Sequence, residues 1–342
     1  MKMADATQKP LTKIQRPTQK TIARLTGLAV PTVSRALADA PDIGSATKKL
    51  VRDVAAEIGY RPDRAGVRLR TGKTNVISLV LTTDHDMMNY TAQLISAIAG
   101  ELRNSPYHMI ITPYFTTEDP MDPVRYIVET QSADAVILHQ TKPDDPRVKY
   151  LMEHDFPFVT HGRTNWSDDH PYFDFDNEEF AALAVQELHA RGRRHILLVL
   201  PPMDQNYAML SLRGAIRKSR SIGVKTTELT SANSDQTWAV VQEAVSQQLQ
   251  ANPTIDGIVC CSVNAAMATA LAAEEADKVL GEDLDIAAKE AFPMLKQFRA
   301  PILTQREDVA RAGRFLARAA VQRIADPSAP PLQELEVPTR FG

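Results

Sequence analysis

The chain has 342 residues, enough for two or three domains, and its 44% apolar content is ample for buried cores. The formal charge of −3 argues, taken alone, against a nucleic-acid partner, but it is unevenly spread. Residues 1–75 carry 15 Lys/Arg against 6 Asp/Glu, and the rest carry 24 against 36, the pattern of a basic binding module on an acidic body. No apolar run approaches the roughly 18 residues of a membrane span, and the polar N-terminus holds no secretory h-region. Cys260 and Cys261 are sequence neighbours, a poor geometry for an ordinary bridge, so buried thiols in a reducing cytoplasm are expected, with no membrane partner.

Residues 1–17 read as a disordered tail. Thr18 is placed to cap a first helix in which Ile22, Ala23 and Leu25 have helical spacing. A Gly27-Leu28 turn follows. A second helix then starts with Pro31 in its first turn and turns Val33 and Leu37 inward. Thr32, Ser34 and Arg35 cannot all join so small a core, so some face out. A third helix is expected from Ser45 to Ile58, with Leu50, Val51, Val54 and Ile58 on one face and Gly59 at its stop. Two short helices joined by a tight turn, over residues 18–62, form a helix-turn-helix whose second helix can enter a DNA major groove.

A basic linker over 63–74 leads into a different texture, in which apolar runs alternate with helical patterns. Strands are expected at Val76–Leu81, His108–Thr112, Ala135–His139, Phe158–Thr160, His195–Leu200 and Gly257–Cys261. Helices are expected notably at Tyr90–Leu102, Phe180–Arg191 and Ser234–Gln250. The alternation implies an α/β core of parallel sheets with helices on both faces, and its length implies two lobes. No Gly-x-Ser-x-Gly elbow, phosphate loop or dinucleotide fingerprint is present. The histidines His161, His170, His189 and His195 lack metal-ligand spacing. Asp174-Phe-Asp176, followed by Asn177, reads as a strand end of the kind where doubly wound folds place ligands. No enzyme activity, cofactor or metal is expected.

Taken together, Thr32-Val-Ser-Arg35, Ser45-Ala-Thr47, Gly59-Tyr60-Arg-Pro62 and Leu69-Arg-Thr-Gly-Lys-Thr74 resemble the LacI/GalR family of bacterial transcriptional regulators. Phe158-Val-Thr-His-Gly-Arg163, Asp176-Asn177, Arg191-Gly-Arg-Arg-His-Ile196 and Ala310-Arg-Ala-Gly313 extend the resemblance through most of the chain. The resemblance implies a headpiece at 18–62, a hinge helix within 63–74, and a two-lobed core at 75–342 like periplasmic sugar-binding proteins. Lobe 1 would take 75–174 and 304–328, and lobe 2 would take 175–303 and 329–342, with crossings near Phe175 and Leu303.

By the same resemblance, Val30, Pro31 and Arg35 would read bases, Arg35 bidentately on guanine. Thr18, Lys20, Thr32, Ser34 and Tyr60 complete the expected DNA contacts. In the hinge, Arg64 and Arg68 would meet phosphates and Leu69 would wedge into the minor groove, while Gly66 weakens the hinge as an isolated helix. Effector contacts would come from Asn89, Tyr90, Arg163, Gln205, Tyr207, Ser211, Asn264 and Glu290, with Trp238 as a stacking face for a sugar ring. Ser211 stands where the family usually has Arg, Asn264 where it has Asp, and Glu290 replaces Asp.

The expected function is a DNA-binding transcriptional regulator, a repressor, controlled by a small-molecule effector of carbohydrate type. Its partners would be a pseudo-palindromic double-stranded operator and a second copy of the chain, met through helices near Tyr90–Leu102 and Pro123–Gln131. The alternative is a small-molecule sensor acting mainly through protein partners, which salt-dependent binding to duplex DNA would separate from the first reading.

Overall fold

The computed structural model describes residues 17–61, 68, 72–82, 88–297, 301–339 and 341, without the side chains of Met88 and Asn89. These fall into two compact units, one ending at Thr74 and one beginning at Asn75. Residues 1–16 of the expected tail, the hinge residues Arg64, Gly66 and Leu69, and the Asn89 side chain lie outside the described residues.

The first unit consists of α1 (Gln19–Thr26), α2 (Val30–Leu37) and α3 (Ser45–Glu57). The Thr18 hydroxyl accepts from the Thr21 amide, and the Thr21 hydroxyl accepts from the Thr18 amide at 3.1 Å, a reciprocal cap that fixes where α1 begins. Gly27 ends α1 at φ 71°, a left-handed conformation that lets the chain reverse tightly into α2. Ile22, Ala23, Val33, Ala36, Val51 and Ala55 form the core, with Leu37, Val54, Ile58 and Tyr60 packed on its edge.

Two expected core residues point outward instead: Leu25 is 51% exposed and Leu50 46%. The buried stripe of α3 runs through Val51, Val54, Ala55 and Ile58, and Leu50 sits one residue, about 100°, off it. In α1 the stripe is centred on Ile22 and Ala23, which leaves Leu25 at its flank.

The second unit holds two parallel sheets. The strands of the first are β1 (Val76–Thr82), β2 (His108–Tyr114), β3 (Ala135–His139), β4 (Phe158–His161), β5 (Tyr172–Phe175) and β11 (Gln333–Glu336), in spatial order β11-β5-β4-β3-β1-β2. The second sheet is ordered β10-β9-β8-β6-β7, from β6 (His195–Val199), β7 (Lys225–Glu228), β8 (Gly257–Cys260), β9 (Asp285–Glu290) and β10 (Ile302–Arg306). Each order reverses beside the first strand of its sheet, so each sheet has a topological switch point where its strand ends diverge.

Helices cover the sheets. In the first lobe α4 (Met88–Leu102) packs on α11 (Val309–Ala325), and α5 (Met121–Thr130) on α6 (Pro146–Glu153). In the second lobe α7 (Asn177–Ala190) packs on α8 (Asn206–Ile222), and α9 (Trp238–Ala251) on α10 (Val263–Glu275). The central strands are buried throughout and apolar but for a terminal histidine, as in Ala135–His139 and His195–Val199, because helices press on both faces.

The expected lobe boundaries need two corrections. Strand β10 pairs with β9 along Ile302–Arg306, so the return crossing falls at Glu307–Asp308 rather than near Leu303. Strand β11 pairs with β5, so residues 333–336 belong to the first lobe's sheet and not to the second lobe. Beyond it Phe341 packs on Phe180 in the second lobe, and the chain therefore crosses a third time between 336 and 341.

Candidate functional site

In the first unit the candidate surface is α2. Val33 and Ala36 are buried, so the helical period turns Val30, Pro31, Arg35 and, in part, Thr32 and Ser34 outward. The Arg35 guanidinium pairs with Asp42 at 2.6 Å, with both side chains about half exposed. Sequence reasoning missed this partner: it lies on the loop before α3, and the bond from Arg35 holds the Asp42 carboxyl below its ordinary pKa. Lys48 and Arg52 converge on Asp39 at 3.1 and 2.7 Å. Thr18 and Lys20 are exposed, whereas Tyr60 is half-buried against the headpiece core.

In the second unit, the carboxyl ends of both sheets open on one cleft with a cavity of about 170 Å³. The first lobe contributes Tyr90, residues 139–141 after β3, residues 161–163 after β4, and Asp174-Phe175 at the end of β5. The second lobe contributes Tyr207, Ser234-Asp235, Cys261–Asn264, Lys289 and Phe292. This is the default ligand position of doubly wound folds, reached here from two lobes at once.

Bonds tie the rims together. The Asn206 amide donates to the Thr141 carbonyl at 2.9 Å, its side chain donates to the Arg163 carbonyl at 2.8 Å, and Lys142 pairs with Asp204 at 2.6 Å. Gly162, at φ 115°, is obligatory here, since a Cβ would stand 2.5 Å from the Thr141 Oγ1 that donates to the Arg163 carbonyl. The loop after β3 is clamped from below by a buried Arg147–Asp145 pair at 2.7 Å. Arg147 also donates to the Gln140 carbonyl, and Asp145 accepts from the Lys142 amide.

The floor is a buried network spanning both lobes. The Tyr90 hydroxyl donates to Glu307 Oε1 at 2.7 Å, and Lys289 Nζ pairs with Glu307 Oε2 at 3.0 Å while donating to Asn177. Burial, the largest single effect, would push Glu307 up and Lys289 down, but their mutual attraction, together with the Tyr90 bond on Glu307 and neighbouring negative groups around Lys289, leaves Glu307 below and Lys289 above its ordinary value, so the pair stays ionised. Because Tyr90 spends its proton on Glu307, the His161 Nε2 at 3.2 Å is the donor to Tyr90. His161 Nδ1 is then a buried acceptor with no partner among the described residues. Burial pushes His161 down to about 4 and also lowers His139, so both rings are neutral. Arg163 pairs with Asp174 at 2.7 Å, and burial nonetheless raises Asp174 to about 6. Tyr207 donates to Asp235 at 2.6 Å.

Of the residues expected to contact an effector, Tyr90, Arg163, Tyr207 and Asn264 line the cleft. Four others are placed off its lining. Gln205 precedes α8 without a side-chain capping bond and donates to Asp204. Ser211 is fully buried and spends its proton on the Tyr207 carbonyl one turn back. Trp238 opens α9, bonds Gln242 and packs on the second lobe's core. Glu290 accepts from the Leu295 amide, away from the cavity. The reason for the last is strand alternation: Lys289 and Glu290 point to opposite faces of β9, and Lys289 is the one facing the cleft. Lys289, Glu307, His139 and Asp235 were missed, although the β-strand period across Asp285–Glu290 was the signal that could have found Lys289. Among the described residues no cluster with metal-ligating potential occurs, and no helix is long and apolar enough to cross a membrane.

Residues 18–63 match the family described as bacterial regulatory proteins of the lacI family, and residues 74–326 match periplasmic binding proteins and the sugar binding domain of that family. The HTH-type transcriptional regulator AglR of Rhizobium meliloti is 29% identical over 92% of this chain and 90% of its own length. Among solved structures, the Lac repressor dimer bound to operator and the anti-inducer ONPF superposes with a TM-score of 0.81. Its identity is 16%, over 96% of this chain and 98% of that one. The transcriptional regulator CelR in complex with cellobiose gives a TM-score of 0.69 at 21% identity, covering 95% and 98%.

Proposed function

The chain belongs to the LacI family of bacterial regulatory proteins, and from that premise we propose that it is a homodimeric, cytoplasmic repressor controlled by a carbohydrate held between its core lobes. The observation that carries this reading is the cleft, whose lining pairs aromatic faces with convergent hydrogen-bonding groups from both lobes. Rings such as Tyr90, Tyr207 and Phe292 suit the apolar faces of a sugar, and Arg163 and Asn264 suit its hydroxyls. The cellobiose bound by the CelR relative points the same way.

DNA reading falls to α2 of the headpiece, with Arg35 exchanging Asp42 for a guanine edge in the major groove. Two headpieces would read two half-sites, which makes the operator pseudo-palindromic. The effector would act on the bonds between the lobes at Thr141–Asn206, Lys142–Asp204 and Tyr90–Glu307–Lys289, each of which depends on how far the lobes close. Linkage makes such control reciprocal, so operator DNA must change effector affinity by the same factor that effector changes operator affinity. The cleft is read as a binding site that releases its sugar unchanged.

Fluorescence anisotropy of the full chain on duplexes from its own upstream region tests this. Expected are salt-dependent, sequence-specific binding and a sugar-dependent shift of the isotherm. Equal affinity for scrambled duplex at every salt concentration, or conversion of the sugar, would overturn the reading.

A further inference from the structure

The charges in the cleft set a limit on what it can hold, an inference that rests on the reading of the cleft as a carbohydrate site. Its lining carries two permanent cations among the described residues, Arg163 and Lys289, and three carboxylates, Asp174, Asp235 and Glu307. Each cation already has a carboxylate at ion-pair distance, Arg163 on Asp174 at 2.7 Å and Lys289 on Glu307 at 3.0 Å. Asp235 accepts from the uncharged hydroxyls of Tyr207 and Ser234. Of the histidines on the wall, His161 stacks on Tyr90 and His139 tilts against both rings; both are buried and neutral and add no charge.

We propose that the cleft takes a polyhydroxylated ligand with no anionic group, and that it rejects phosphorylated and carboxylated sugars because both of its cations are neutralised by its own buried carboxylates.

The physical argument is one of displacement. A phosphate reaching Lys289 must compete with Glu307, which is almost wholly buried and also accepts the Tyr90 proton. A carboxylate reaching Arg163 must compete with Asp174, which is likewise buried. In either case a protein carboxylate is left in low dielectric without its partner and beside a second negative charge, which costs more than the new contact returns. Hydroxyl groups face no such competition. They can donate to carboxylate oxygens that already accept other bonds and accept from Arg163, leaving every ion pair standing. The paired charges thus orient a neutral sugar and discriminate against the charged counterparts that metabolism makes from it.

The test uses the full-length protein and calorimetry at about pH 7.5, where the carboxylates are ionised. Inorganic phosphate is titrated into the parent protein and into Glu307→Gln, and neutral sugars are titrated beside their phosphates and acids, for example glucose with glucose 6-phosphate and gluconate, and cellobiose with cellobionate. The parent is expected to ignore phosphate, and Glu307→Gln, which leaves Lys289 unpaired, to gain it by about tenfold or more. Any neutral sugar that binds should do so about 100-fold more tightly than its anionic counterpart. Phosphate or an acid sugar binding the parent as well as a neutral sugar overturns the proposal. So does a folded Glu307→Gln that gains no phosphate, since neutralisation would then not be the cause of rejection. If Glu307→Gln gains phosphate while no sugar binds the parent, the carbohydrate reading fails and the charge inference stands. Should Glu307→Gln not fold, Asp174→Asn makes the same test at the Arg163 end.

Discussion

Gly214 sits where helix α8 crosses helix α7, and replacing it by alanine should cost both stability and ligand affinity. A Cβ built there would overlap the Glu178 carbonyl oxygen and stand 2.7 Å from its carbonyl carbon and 3.0 Å from its Cα. Every atom it meets is backbone, so no side chain can rotate away, and the helices must part by roughly 1 Å to restore ordinary contact. Overpacking typically costs about 1–3 kcal/mol, and a backbone obstacle places this substitution near the top, at about 3 kcal/mol. For a unit of this size about 1 kcal/mol moves the melting temperature by roughly 2–4 °C, so a fall of about 6–12 °C is expected. The two helices begin at Asn177 and Asn206, which bond Lys289 and the Arg163 carbonyl, so their separation also shifts the second lobe's side of the cleft. Circular dichroism melts of the core and calorimetry with its sugar provide the measurements. Gly100→Ala in α4 is the control of opposite sign: nothing lies within 4 Å of its Cβ, so the change should stabilise by about 0.5–1 kcal/mol. A Gly214→Ala protein melting within about one degree of its parent would refute the contact.

Acidification should destabilise the core between about pH 6.5 and pH 4, because His161 and His139 are held neutral when folded but take up protons when unfolded. Their contribution is complete above about pH 6.5 and falls by up to about 1.4 kcal/mol per pH unit for each histidine. Asp174, raised to about 6, takes up its proton in the folded state first and softens the fall without reversing it. Urea midpoints across this range provide the check, and a midpoint that rises towards pH 5 would contradict the argument. Arg147→Met should cost about 3–5 kcal/mol by stranding the buried Asp145 carboxylate, and it should loosen the loop carrying Gln140 and Thr141. A loss below about 1 kcal/mol in urea unfolding would show that the clamp holds nothing. Arg35→Ala should cost about 1–3 kcal/mol on a specific operator and relax one base position, whereas Lys20→Ala should weaken all duplexes alike. Equal losses on operator and scrambled DNA for Arg35→Ala would remove its base-reading role.

How legible each part was in the sequence follows from where it sits. Strands such as Val76–Thr82 and Ala135–His139 are covered on both faces, so their burial is written as near-continuous apolar runs, interrupted only by Ser78 and the polar last residues. Three strands outside the expected set, Lys225–Glu228, Ile302–Arg306 and Gln333–Glu336, are sheet edges, where polar residues are tolerated and the run dissolves, whereas Asp285–Glu290 is interior and was hidden by its own Asp, Lys and Glu, which break the apolar run. Missing Ile302–Arg306 and Gln333–Glu336 also misplaced the lobe boundaries, because the crossings are defined by which sheet each edge strand joins. In the headpiece the helices were legible through caps and turns, but Leu25 and Leu50 show that spacing alone fixes a stripe only to within about one residue.

The cleft was legible to the extent that it depends on strand ends, and illegible where it depends on pairing. Tyr90, Arg163, Tyr207 and Asn264 follow strands or open helices, so chain order places them. Lys289 and Glu307 do not announce themselves in this way. Each is a surface-type residue, and what keeps it buried is the other, on a different strand end, with uncharged partners from further away: Asn177 lies 112 residues from Lys289, and Tyr90 lies 217 from Glu307. A buried charge is stable only when its counter-charge is brought to it by the fold, so the property that decides which ligands enter belongs to the pairing and not to either residue. The same reasoning explains why Glu290, rather than Lys289, looked like the ligand group. A carboxylate suits a sugar hydroxyl by type, but a one-residue step on β9 reverses the face, and facing decides function before chemistry does.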